Sequence, residues 1–136
     1  MTGAETAARA LAYHDRGYNC AQSVFLACTE ETGLPEDLRA RLMVSFGGGM
    51  GGLGETCGAL SGALAALGLL ANPVVPGDTE AKEAHYARIK ALGEAFRAEA
   101  GSLHCPDLKP EDPELRHARC GGYIAAAARL TAEALL

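Results

Sequence analysis

Apolar residues recur at helical spacing along most of this chain. Ala21, Val24, Phe25 and Cys28 stand at i, i+3, i+4 and i+7. His85, Ile89, Leu92 and Phe96 repeat the pattern, as do Cys120, Ile124, Ala127, Thr131 and Leu135. No stretch alternates apolar and polar residues as a half-buried strand would. Start and stop signals divide the pattern. Thr2 and Glu5 have capping-box spacing and Gly17 ends a first helix; Asn19 and Gln22 open a second that runs to Gly33. Pro35 at the first helical position opens a third, which carries Leu38, Leu42 and Met43 and ends at Phe46. Glu55-Thr56 opens a fourth, reaching Ala71. A fifth spans about Thr79 to Ala100, and a last about Glu114 to Leu135, with Gly121-Gly122 leaving its start open as far as Cys120. The expected fold is all-α: one domain over residues 1–136, a compact bundle of five to six helices around a central Ala/Gly-rich helix.

In that central helix Gly58, Gly62 and Ala66 recur every four residues, a smooth ridge on which a neighbouring helix can approach closely. Composition supports the assignment. Trp is absent and aromatics make up 5%, so the core must come from Ala, Leu, Val and Ile, and the abundance of Ala favours helix. The 22 residues from Thr56 to Gly77 carry no charge, long enough for a membrane span. Asn72-Pro73 and three glycines argue instead for a buried helix of a bundle. A net charge of -5 argues against nucleic acid or an anionic membrane as partner. The N-terminus lacks a basic and apolar leader pattern, so the expected location is cytoplasmic, where thiols stay reduced.

Five cysteines then carry the candidate chemistry, none of them in a C-x-x-C pair. Cys20, Cys57, Cys105 and Cys120 each lie beside a helix-start or turn signal, where free N–H groups and the helix dipole stabilise a thiolate. On this reading Cys20 or Cys57 reacts as a thiolate below the free-cysteine pKa of about 8.5. Cys28 lies on the apolar stripe of its helix and reads as core.

The residues Tyr18-Asn19-Cys20-Ala21-Gln22, Gly47-Gly48-Gly49-Met50-Gly51, Cys57-Gly58-Ala59-Leu60-Ser61-Gly62, Gly101-Ser102-Leu103-His104-Cys105 and the lone Cys120 form a pattern. It resembles the C_GCAxxG_C_C family of redox-active proteins, defined by four cysteines and a C-G-A-x-x-G motif. The resemblance covers nearly the whole chain. It implies a helical fold with Cys20, Cys57, Cys105 and Cys120 as the site.

Two further features of the chain bear on this reading. Gly49-x-Gly51-x-x-Gly54 fits a dinucleotide fingerprint, with Asp78 at a distance suited to a ribose contact, but the fingerprint needs a preceding strand, for which only Leu42 to Phe46 is available. The glycines are better read as letting the loop pack closely and bring Cys57 to its partners. His104 and His117 neighbour Cys105 and Cys120 and could serve as ligands or bases, although surface histidines are the commoner outcome. His85 reads as a core-edge residue, and nothing fixes the direction of His14.

The function expected is thiol-based redox: thiol–disulfide exchange or electron transfer with a small thiol or a redox protein, needing no cofactor. The four cysteines would converge in one of three pairings, Cys20 with Cys57 being preferred. The alternative is a metalloprotein holding Zn²⁺ or an iron–sulfur cluster on the same four cysteines, although such sites usually include a close C-x-x-C pair. A helical interaction module ranks third. A homo-oligomer is compatible with the chain.

Overall fold

The computed structural model describes residues 1–136 and is built of helices. These are α1 (Gly3–Asp15), α2 (Cys20–Cys28), α3 (Glu36–Met43), α4 (Gly58–Leu70), α5 (Thr79–Ala100), the single turn α6 (Cys105–Leu108) and α7 (Pro113–Ala134). Two 3₁₀ turns, Glu30–Thr32 and Val44–Phe46, close α2 and α3. The only strand-like pairing is an isolated antiparallel bridge between Thr56 and His104. Leu42 to Phe46 is helix end and 3₁₀ turn, so the strand that a dinucleotide fingerprint requires does not form. Asp78 serves α5 as its N-cap, accepting from the Ala81 N–H at 3.0 Å. No helix is long and apolar enough to cross a membrane.

Helix α4 is central, as its composition predicts, but α2 is enclosed as completely. Every residue from Ala21 to Ala27 is buried, so α2 has no solvent face. It is packed by α1, α4, α7 and α3, while α5 lies outside against α7 and α4. The Asn19/Gln22 capping box forms in both directions, at 2.9 and 3.0 Å. The helix ends at Cys28, not Gly33. Near that end the Arg39 guanidinium donates to the Leu26 carbonyl at 3.0 Å and to the Thr29 hydroxyl at 3.1 Å, and that hydroxyl in turn donates to the Phe25 carbonyl. A cation there complements the negative end of the helix dipole. This contact turns α3 away from its expected face: Arg39, Ala40 and Met43 point inward, while Leu38 and Leu42 are exposed.

The α2–α4 crossing uses the predicted small-residue ridge. A Cβ at Gly62 would fall on the backbone carbonyl of Ala21, and one at Gly58 on the sulfur of Cys20 and within 2.9 Å of the Phe46 carbonyl oxygen. At Gly62 the obstacle is backbone, so the helices must part to admit a methyl group. Gly68, two turns further along, is exposed with nothing within 4 Å. The pair gives a clean test by chemical denaturation. Gly62→Ala should destabilise by about 1–3 kcal/mol through overpacking, whereas Gly68→Ala should stabilise by roughly 0.5–1 kcal/mol through helix propensity.

Candidate functional site

The capping box fixes Cys20 as the first residue of α2, and the close α2–α4 crossing lays its sulfur over Gly58. Cys57 immediately precedes Gly58 as the N-cap of α4, one position before the helix proper. It is buried, with 6% of its surface exposed. Gly58 carries no side chain, and that leaves room for the Cys20 sulfur beside the start of α4.

The third cysteine arrives by a different device. Gly48, Gly49, Met50, Gly51 and Gly52 have φ values of 69°, 71°, 69°, 66° and 84°, a continuous left-handed run. The Gly51 and Gly52 N–H groups donate to the carbonyls of Gly47 and Gly48 at 2.9 and 3.1 Å, closing a single left-handed turn. L-residues with a Cβ resist this conformation, which accounts for the glycine run. The turn also clears space: a Cβ on Gly49 would stand 2.5 Å from that of Cys105. Beyond the turn, the Cys57 N–H donates to the Leu103 carbonyl at 2.7 Å and the Cys105 N–H to the Glu55 carbonyl at 2.8 Å. These two bonds clip the segments bearing Cys57 and Cys105 together across nearly fifty residues of chain.

Cys120 corrects the sequence reading. It does not start a helix. Asp112 caps α7 by accepting from the Glu114 N–H at 2.9 Å, Pro113 is its first residue, and Cys120 lies two turns inside. Its side chain nevertheless joins the others: Cys20, Cys57, Cys105 and Cys120 all line one cavity of about 290 Å³. Leu108 and Tyr123 contribute apolar wall, and His14, Lys109, Arg116 and His117 contribute the basic groups. No sulfur is bonded to another. Cys28 lies elsewhere, at the end of α2 in a groove formed with Ala132 and Leu135. The division between four cavity cysteines and one packing cysteine is therefore observed.

For Cys57 the electrostatics run against a depressed thiol pKa. Burial is the dominant effect on Cys57, and it pushes the thiol up to about 12; the Ala59 and Leu60 N–H groups of α4 oppose this only in part. Burial also raises Cys105 and Cys120, with Lys109 and Arg116 working in the opposite direction. In these three, desolvation of a thiolate outweighs the N–H groups or cations beside it. Cys28 is likewise pushed up to about 12 by burial, against a hydrogen bond with Thr131.

The histidines divide. His104 is exposed and makes only a backbone contact, its N–H donating to the Ser102 hydroxyl at 3.0 Å. His117 stacks on His14 with ring centres 4.2 Å apart, and its Nε2 is 3.3 Å from Asp15 Oδ1. Burial and the neighbouring His117 hold His14 below the usual imidazole pKa. His85 is half-buried on α5. No three Cys, His, Asp or Glu side chains stand close enough to share one metal ion, so the cavity in this arrangement does not present a ready ligand set for Zn²⁺. Sequence reasoning passed over Lys109, Arg116 and Tyr123. A signal existed: Lys109 lies four residues after Cys105, and Arg116 four before Cys120, the spacing that places side chains on one helix face.

Fold and cavity together define a class, an all-α protein in which cysteines from four distant segments open on one cavity. The chain belongs to the family described as "Putative redox-active protein (C_GCAxxG_C_C)", which it matches over residues 18–134. It is also 33% identical, over 100 residues, to an uncharacterised protein of Archaeoglobus fulgidus. That match covers 68% of this chain and 66% of the relative, so the chain spans slightly under two thirds of the relative's length. No solved structure matches.

The raised thiol pKa values set a pH dependence. Between the pKa of a free thiol, about 8.5, and that of buried Cys57, the unfolded chain loses a proton that the native state keeps. The stability conferred by the protonated Cys57 and Cys28 is thus present below about pH 8.5 and declines as pH rises toward 12. Denaturant midpoints measured at stepwise higher pH should fall over that window. The fall should be shallower in Cys28→Ala, once both proteins are referred to their midpoints at neutral pH.

Proposed function

We propose that this protein carries out thiol–disulfide exchange through Cys20, Cys57, Cys105 and Cys120, taking electrons from or delivering them to a small thiol or a redox protein. The observation that carries this reading is the shared cavity: four cysteines far apart in sequence line it, and the fifth does not. Cys20 is assigned the attack, since it is the first residue of α2 and half-buried at the cavity, while Cys57 is buried. Its thiolate displaces one sulfur of a substrate disulfide, forming a mixed disulfide and releasing the first substrate thiolate, which takes up a proton. Cys57, which lines the same cavity, then loses its proton and attacks the Cys20 sulfur. The second substrate thiolate leaves, and two electrons have passed from the protein's thiols to the substrate.

Charge on Cys20 raises the Cys57 pKa. Conversion of Cys20 to a neutral mixed disulfide removes that repulsion, while the Ala59 and Leu60 N–H groups remain in place to receive the new thiolate. Burial remains the larger effect on Cys57, and loss of the Cys20 charge removes a smaller one. Exchange needs two sulfurs to meet at a time, whereas metal ligation needs three or four held together at once.

The test is a thiol titration of protein purified anaerobically. Reduced protein should be colourless and show five free thiols. Oxidation by a small disulfide should lower the count in steps of two, to three or to one, with Cys28 always among the free thiols by peptide mapping. Replacement of Cys20 by Ser should abolish the first step at neutral pH, a loss of at least about tenfold in rate. Stoichiometric iron or zinc would select the metal reading, and a count that never changes by pairs would leave only the interaction module.

A further inference from the structure

We propose that the cavity selects a small anionic disulfide, bound by Lys109 and Arg116 through carboxylate or comparable negative groups on the substrate. The inference rests on the exchange reading above and adds the substrate class. The chain carries 17 acidic residues against 12 Lys and Arg, yet no Asp or Glu lines the cavity. Its charged wall is entirely basic.

These cations are free to act on a ligand. Lys109 makes no ion pair and no side-chain hydrogen bond within the chain, and Arg116 has no carboxylate partner. Arg116 is held in place by backbone alone, donating from Nε to the Pro110 carbonyl at 3.2 Å and from Nη2 to the Glu111 carbonyl at 3.0 Å. That grip orients the guanidinium without neutralising it. The neighbouring carboxylates are engaged elsewhere: Asp107 accepts from the Ser102 hydroxyl at 2.8 Å, Asp112 caps α7, and Asp15 faces His117 at 3.3 Å.

Both cations also act on the thiols. They lower the Cys105 and Cys120 pKa values against burial, so their charge reaches the sulfurs. A cavity of about 290 Å³ admits a small molecule and excludes a folded protein surface, apart from a protruding segment. A substrate with a disulfide at the thiols and negative ends at Lys109 and Arg116 would satisfy both chemistries together, with Leu108 and Tyr123 against its carbon chain.

Three disulfides of matched size separate charge from reactivity: 3,3′-dithiodipropionate with two negative ends, bis(2-hydroxyethyl) disulfide with none, and cystamine with two positive ends. Each reacts with the fully reduced protein at neutral pH, and loss of paired thiols gives the rate. Dividing by the rate of 2-mercaptoethanol with the same disulfide removes leaving-group effects. The normalised rate should be at least about tenfold higher for the dicarboxylate than for the diammonium compound, with the neutral one between. A tenfold ratio requires about 1.4 kcal/mol of differential attraction. The ratio should shrink in high salt. It should shrink in Lys109→Gln, where Arg116 remains, and collapse toward one in Lys109→Glu, variants that touch no side-chain hydrogen bond of the fold. Equal normalised rates for all three compounds would overturn the anion proposal and leave exchange standing. Loss of paired thiols with none of them would overturn the exchange reading and this inference with it.

Discussion

The close approach of α2 and α4 governs the rest of this molecule. Gly62 lets the Ala21 backbone carbonyl sit where a side chain would be, and one turn earlier Gly58 does the same for the Cys20 sulfur. The two helices are the most enclosed in the bundle, so their spacing sets the positions of everything packed around them. A methyl group at either glycine would widen the spacing and lift Cys20 away from the start of α4. Packing and chemistry thus hang on the same pair of missing side chains. Close-packed interiors transmit such changes instead of absorbing them.

The second constraint is backbone pairing. The Cys57–Leu103 and Glu55–Cys105 hydrogen bonds join the approach to α4 with the approach to α6. Neither segment has regular structure of its own there, and the bridge gives their buried amides partners. The cavity cysteines are thus carried by two helix starts, a clipped loop and one helix interior. Arg39 plays the corresponding part at the far end of α2, where it bonds the Leu26 carbonyl and turns that face of α3 inward.

What the sequence revealed and what it hid follow a physical division. Local signals were legible: the Asn19/Gln22 box, the Gly58–Gly62–Ala66 ridge and the apolar stripes all report on residues within a turn or two of one another. The four cavity cysteines were separable from Cys28 because motif and stripe place them differently. The last helix was legible from about Glu114, with Gly121-Gly122 leaving Cys120 as an alternative start that the Asp112-Pro113 cap rules out. The Cys57 thiol departs from its expectation for another reason. A helix terminus is visible in sequence, whereas burial is a property of the assembled core, and for Cys57 burial is the larger effect. Arg39 reads in sequence as one more charge on a solvated face, since only the end of α2 shows what it is for.

The left-handed turn at Gly48–Gly52 has a consequence of a different kind. Four of its five residues are achiral glycines and the fifth, Met50, favours the opposite hand, so the free chain there has no preference for the left-handed turn. The hand it takes in the native state is imposed by α2, α4 and the Cys105 segment closing around it. The local geometry is therefore a product of the tertiary fold and cannot precede it. In a nascent chain the five thiols are chemically much alike, and the distinction between the cavity four and Cys28 comes into being only when that turn has been given its hand.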